Sequence, residues 1–146
     1  MIGCNITASG MWFFEFDTYK VGVTRMSTST MHTLLKKRLD YDDFCFHNVY
    51  DENYNIEMEL ELTNTFEKIF KLSREILNSQ IDQNKKLMLI KTILPESFNY
   101  TSYVTLNYEV LRTMYHDRKN HRLPEWKMFL ESFDSIPYFN EFIKGE

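Results

Sequence analysis

The sequence predicts an α+β fold in which helices dominate and pack on a small antiparallel or mixed sheet. Several stretches repeat apolar residues at helical spacing behind a residue that can cap a helix, which indicates amphipathic helices. Others are rich in aromatic and β-branched residues, which favours strands. The chain has 146 residues and no linker, internal repeat or low-complexity stretch. We therefore expect a single domain over residues 1–146.

The first third of the chain carries strand signals and then a short helix. Met11–Asp17 is rich in aromatic residues and alternates at its end, which predicts a strand. Val21 and Val23 follow a turn and are predicted to form its partner strand. Ser27–Thr30 then offers N-caps for a short helix that ends at Lys36–Arg38, where cations suit the negative end of the helix dipole.

Residues 55–63 allow two structures. Apolar residues alternate strictly with glutamates over Ile56–Leu62, which is a strand pattern. The apolar residues from Phe66 to Leu77 share one face of a helix, and glutamate is a poor strand former. One long helix from about Asn55 to Asn78 is therefore favoured, with a strand over 55–63 as the alternative.

The second half of the chain has the clearest helix boundaries. Asp82 is predicted to cap a helix that runs to Leu94, and Pro95 ends it. Tyr100–Leu106 has strong β-propensity, and Asn107 is a natural N-cap for the helix that follows. Two more helical stretches are expected to begin near prolines, Pro124 and Pro137.

Composition excludes several classes of protein. The net charge of −4 argues against general nucleic-acid binding, and four glycines leave no dinucleotide fingerprint or Walker loop. The longest central apolar run, Leu87–Ile90, is far too short to span a membrane, and no signal peptide is recognisable. Cys4 and Cys45 are too few for a disulfide framework and lack metal-ligand spacing. We expect a cytoplasmic, reduced protein without a metal site.

The most charged stretch lies between residues 112 and 122. Arg118 falls beside the apolar face of its helix, so a partly desolvated guanidinium there suits bidentate binding of a phosphate or a pyrimidine imide. The alternative is that Arg118 extends over the edge of the core or pairs with an acidic residue. The other charged residues are either a partner-binding face or a solvated one: Arg112, His116, Lys119 and Arg122.

No catalytic residue is predicted. Cys45 and His47 would share a face of a strand, which makes a thiolate–imidazole pair conceivable, but no third residue that could orient the histidine is in view.

The order of signals from Leu87 to Trp126 resembles the C-terminal half of the flavin-dependent thymidylate synthases. In that family a helix ends in Leu-Pro and a strand runs into a Thr-x-Asn turn. The next helix carries an arginine eleven residues later. Here the helix ends at Leu94-Pro95, the turn is Thr105-Leu106-Asn107, and the arginine is Arg118. A weaker similarity covers Phe14–Arg38.

This resemblance implies a thymidylate-synthase-complementing-like fold, a homo-oligomer and nucleotide sites between subunits. Asn107 and Arg118 match positions that in the family engage the nucleotide or shape its pocket. The asparagine that the family has six residues after Asn107 is Thr113 here.

The chain departs from the family where the reaction takes place. The Arg-His-Arg signature and the Ser- and Arg-Tyr-containing segment after it, which hold flavin and substrate, are absent. Only Lys36-Lys37-Arg38 stands roughly nearby, so Lys37 and Arg38 are the remaining candidates for phosphate contacts.

Three functions follow. The leading expectation is a non-catalytic, thymidylate-synthase-like protein that binds a dUMP-like nucleotide or acts on a host protein as an interaction or inhibitor protein, in the manner of compact phage-encoded proteins. It would need no cofactor. The first alternative is an FAD-dependent enzyme that methylates dUMP to dTMP. The second is a helical interaction module whose basic face docks on an acidic partner.

Overall fold

The computed structural model describes residues 1–28, 30–46 and 55–145. The chain forms two compact units, one of Met1–Thr28 with Tyr100–Glu146 and one of Ser29–Asn99, which we call unit 1 and unit 2. Of the residues that the structure describes, 53% are helical and three strands form an antiparallel sheet, so the predicted helix-dominated α+β class is confirmed. The single domain over 1–146 stays a prediction.

The regular elements follow one another as two strand-and-helix stretches around a helical middle. In chain order they are β1 (Ile2–Ser9), α1 (Gly10–Phe16), β2 (Val23–Ser27), α2 (Thr30–Thr33), a 3-10 turn (Tyr41–Asp43), α3 (Ile56–Asn78), α4 (Gln83–Ile93), β3 (Asn99–Leu106), α5 (Tyr108–Arg118), α6 (Pro124–Glu131) and a π-helical segment (Phe139–Lys144).

The sheet has the order β1-β3-β2, so β3 is its central strand. β2 pairs antiparallel with β3, with Val23 opposite Leu106 and Ser27 opposite Ser102. The sequence predicts β3 and the start of β2 but not β1, although β1 alternates half-buried and exposed residues as an amphipathic strand does.

The strand predicted over Met11–Asp17 is wrong, and so is its pairing with Val21 and Val23. These residues form α1 because the Ser9 side chain caps the helix at the Trp12 N–H and because Trp12, Phe13 and Phe16 then fall on one buried face. Burial of three aromatic rings outweighs their intrinsic preference for strands.

The core of unit 1 is aromatic. The Trp12 and Trp126 rings lie 4.8 Å apart between centroids, and Phe16 stacks on Trp12 at the same distance. Val104 and Leu106 of β3 are fully buried in the same core cluster. The sheet and helices α1, α5 and α6 are thus held together by one continuous apolar core.

Unit 2 consists mainly of the helices α3 and α4. The long helix predicted over residues 55–78 is confirmed, and Asn55 caps it at the Glu57 N–H. Asp82 caps α4 as predicted. The core of unit 2 contains a group of phenylalanine rings. The centre of the Phe44 ring lies 5.0 Å from that of Phe66 and 5.5 Å from that of Phe98.

The helix predicted to end at Lys36–Arg38 is shorter than expected. α2 is a single turn, Thr30–Thr33, so the three basic residues lie beyond it and do not complement its dipole. Phe44 pairs with Phe98 in an isolated bridge, as an extended piece should. His47 lies outside the described residues, and Cys45 is buried.

None of the helices in the described ranges combines the length and the apolar character that crossing a membrane requires.

Candidate functional site

Asn107 joins the end of the central strand to the start of α5. Its Oδ1 accepts the Val110 N–H at 2.8 Å, so it is the N-cap that the sequence predicts. Its own N–H donates to the Gly22 carbonyl at 3.1 Å. Gly22 has a φ of 78°, and a Cβ there would lie 2.8 Å from the Asn107 amide nitrogen. Glycine is therefore required at this approach of the two segments.

A cavity of about 390 Å³ opens beside this cap, and we call it the α5 pocket. One wall is the loop after α1 and the other is the first half of α5. It is lined by Thr18, Tyr19, Lys20, Val21, Asn107, Glu109, Val110 and Thr113. The size is that of a small-molecule site, and the lining combines an ammonium, a carboxylate, hydroxyls and a phenol ring.

Arg118 is held by protein groups. Its guanidinium forms an ion pair with Glu15, and its Nε donates to the Tyr19 hydroxyl at 3.1 Å. The guanidinium carbon also lies 5.1 Å from the centre of the Trp126 ring, within range of a cation–π interaction. Arg118 is therefore paired with an acidic residue, which is the alternative to nucleotide binding that the sequence predicts for it.

Tyr19 connects this ion pair to the α5 pocket. Its hydroxyl accepts from Arg118 and lies 3.2 Å from an Asp117 carboxylate oxygen, to which it donates. Burial raises the pKa of Tyr19, against the opposing effect of the Arg118 hydrogen bond and charge. The phenol is therefore neutral at physiological pH, with its ring fixed at the pocket wall.

His121 completes the cluster around Glu15. Its Nδ1 accepts the Leu123 N–H at 3.1 Å, so the proton of the neutral ring resides on Nε2, 2.9 Å from the Glu15 carboxylate. Glu15 thereby binds groups from α5 and from the turn after it. These contacts link α1 to the end of α5 and to the turn after it.

The remaining predicted nucleotide contacts belong to unit 2. Lys37 forms an ion pair with Asp43, and this hydrogen bond raises the pKa of Lys37. Arg38 is exposed. All lining residues of the α5 pocket lie in unit 1, so neither cation belongs to that lining.

The four predicted partner-binding residues are exposed. Within residues 1–28, 30–46 and 55–145 none of them forms an ion pair, although Lys119 lies over the Tyr115 ring at 5.7 Å. Their role in binding a partner stays a prediction. They are Arg112, His116, Lys119 and Arg122.

Sequence reasoning did not identify Glu15, Tyr19 and Lys20. Glu15 could not be identified because the sequence predicts a strand there, and only a helix places the Glu15 side chain beside Arg118. Tyr19 and Lys20 lie in a loop without a recognisable motif, so no local signal could have indicated them.

In the part of the chain that the structure describes, no group of three or more His, Cys, Asp or Glu side chains could hold a metal ion. Comparison of the chain with protein-family models, curated proteins and solved structures finds no match.

Proposed function

We propose that this chain is a non-catalytic relative of the flavin-dependent thymidylate synthases that binds a pyrimidine nucleotide such as dUMP in the α5 pocket. One observation carries the proposal. Asn107, which the resemblance matches to the family's nucleotide pocket, lines this cavity together with Thr113, which stands where the family has a further asparagine. The sequence alone does not show that these two side chains line one cavity.

The lining residues supply the chemistry that a nucleoside monophosphate requires. The exposed Lys20 ammonium attracts and binds phosphate, since a charged hydrogen bond is stronger than a neutral one. Glu109 accepts N–H or hydroxyl protons from the base or sugar. The Tyr19 ring offers a face for stacking of the base, an interaction worth about 1–3 kcal/mol per base.

Arg118 takes a different part in this proposal from the one predicted. It binds Tyr19 through its Nε and does not line the pocket. We therefore assign it a positioning role, in which it holds the Tyr19 ring where a base would stack.

The FAD-dependent enzyme remains the alternative function. Flavin would supply the hydride chemistry, and purified protein would then carry yellow absorption in the visible spectrum. If the proposed function is correct, purified protein is colourless and still binds dUMP, because the signature that holds flavin in the family is absent from this sequence. A further proposal is that the protein binds a host protein and inhibits it. This function does not require the α5 pocket.

Thermal unfolding with and without ligand tests the nucleotide site. A ligand at 100 times its Kd stabilises the native state by about 2.7 kcal/mol, which is roughly 5–10 °C in Tm for a chain of this size. Lys20→Ala should remove most of the response to dUMP but leave the response to deoxyuridine, which lacks the phosphate. Thr113→Asn, which introduces the family's amide, should tighten dUMP binding about threefold to tenfold by adding one hydrogen bond.

The matched control is Lys85→Ala, an exposed lysine of α4 in unit 2, which should leave both responses unchanged. A wild-type protein whose Tm does not respond to dUMP would overturn the proposal. So would an equal loss of response in the Lys20 and Lys85 variants.

A further inference from the structure

The first half of α3 is a helix that buries none of its side chains. No residue from Asn55 to Thr65 is buried, and Phe66 is the first that is. Three large apolar side chains stand on these turns with most of their surface exposed: Ile56 81%, Met58 61% and Leu60 59%. Helices in proteins gain most of their stability by packing an apolar face, which these turns do not do, and exposed apolar residues close together mark interaction surfaces.

The charge of this segment restricts what can cover it. Glu57, Glu59 and Glu61 are exposed, and residues 55–65 contain no lysine or arginine. Two copies of the segment would therefore repel each other if they paired side by side. The complementary surface has to offer apolar contacts together with cations.

The outer face of α5 offers both. Arg112, His116 and Lys119 follow Tyr108 at intervals of four, four and three residues, so the four lie along one row of the helix, in which Tyr108 is half-buried and the other three are exposed. At about 1.5 Å per residue the row is roughly 16 Å long, close to the length of the uncovered half of α3.

An apolar cavity of about 420 Å³ lies at the Tyr108 end of this row, lined by Tyr108, Pro137, Tyr138 and Phe142. Tyr138 and Phe142 are 64% and 60% exposed, with their rings nearly perpendicular at 5.9 Å. Tyr138 has a φ of 60°, a left-handed conformation that an aromatic residue rarely adopts. Backbone strain of this kind clusters at ligand-binding surfaces, which fits a ring held outward for a partner.

We propose that this protein self-associates by seating the first half of α3 of one copy on the outer face of α5 of a second copy. Ile56 and Leu60, one turn apart, enter the aromatic cavity. Glu57 and Glu61 then face the cations of the row. This interface goes beyond the nucleotide pocket of the proposed function.

Charge-swap complementation tests this arrangement on the full chain. One variant reverses the acidic segment (E57K/E59K/E61K) and the other reverses the row (R112E/K119E). In sedimentation velocity, the wild type should dimerise in a concentration- and salt-dependent way. Each variant alone should associate about tenfold or more weakly. An equimolar mixture should recover dimers, because each reversed α3 then meets a reversed α5.

The control variant is E75K/K91E, which reverses two exposed charges elsewhere in unit 2 and should dimerise as the wild type does. Circular dichroism verifies that every variant is folded. Wild-type protein that stays monomeric at all concentrations overturns the proposal. So does a single reversed variant that still dimerises, or a mixture of folded variants that fails to recover dimers.

Discussion

Replacing Glu125 by glutamine tests how unit 1 is held together. Glu125 is almost fully buried at the start of α6. Its two carboxylate oxygens accept hydrogen bonds from the Ser9 N–H at 2.8 Å and from the Ser9 Oγ at 2.7 Å. Ser9 Oγ in turn accepts the Trp12 N–H at 3.2 Å, so the cap of α1 and the start of α6 form one polar clasp.

The size of the effect follows from these two bonds. A hydrogen bond to a charged group contributes about 1.5–3 kcal/mol. Glutamine can still accept from the Ser9 N–H and can only donate to Ser9 Oγ, so two hydrogen bonds to a charged group become neutral ones, each weaker by about 1–1.5 kcal/mol. We therefore expect Glu125→Gln to lower the free energy of unfolding by about 2–3 kcal/mol, or roughly 5–10 °C in Tm for a chain of this size.

Tryptophan fluorescence during urea unfolding is the assay, because both tryptophans of the chain, Trp12 and Trp126, lie in unit 1. The control is Glu131→Gln on the same helix, where an exposed carboxylate lies 3.8 Å from Lys127 and is expected to contribute less than about 1 kcal/mol. Ser9→Ala combined with Glu125→Gln should cost less than the sum of the two single changes. If Glu125→Gln unfolds with the same free energy as Glu131→Gln, the clasp does not stabilise the protein.

Two further predictions concern backbone conformation and pH. Gly22→Ala should cost about 1–3 kcal/mol in the same urea assay, because φ is 78° and the new Cβ would lie 2.8 Å from the Asn107 amide. Gly145→Ala shares the positive φ but has no atom within 4 Å, so an equal loss would contradict the crowding at Asn107. Because Asp43 raises the pKa of Lys37, the ammonium stabilises the fold at pH values below its ordinary pKa of 10.5, and this contribution disappears as pH rises through the raised value. Lys37→Met should therefore lower the free energy of unfolding by less than about 1 kcal/mol at neutral pH, since the ammonium is half exposed. At strongly alkaline pH it should have no effect. Unfolding followed by circular dichroism at both pH values measures this, and a difference between the two proteins that grows with pH would refute the pairing.

The helices that begin with a polar cap could be predicted from the sequence. Asn55, Asp82 and Asn107 each accept an N–H of the first turn, and each is followed by apolar residues at helical spacing. These signals are local, so one sequence is enough to reveal them. α1 has such a cap in Ser9, but the aromatic residues that follow it have high strand propensity. The sequence therefore predicts a strand there instead of a capped helix.

The candidate site was less predictable because its partners are distant in sequence. Asn107 could be assigned from its position after a strand. The groups that hold Arg118 could not, because Tyr19 and Glu15 lie 99 and 103 residues before it. No periodicity relates residues at such separations, and only the tertiary fold of unit 1 brings them together.

The division of the chain has a consequence for the order in which it folds. Unit 1 is built from two separate stretches, and its central strand β3 comes from the second, while its neighbours β1 and β2 come from the first. During synthesis the first 28 residues therefore emerge long before the strand that completes their sheet. Unit 2 is one continuous stretch of chain, so its contacts can form before the strand β3 has been synthesised. Closing the long intervening stretch costs chain entropy, and contacts already formed within unit 2 reduce that cost by shortening the free chain between the two parts of unit 1.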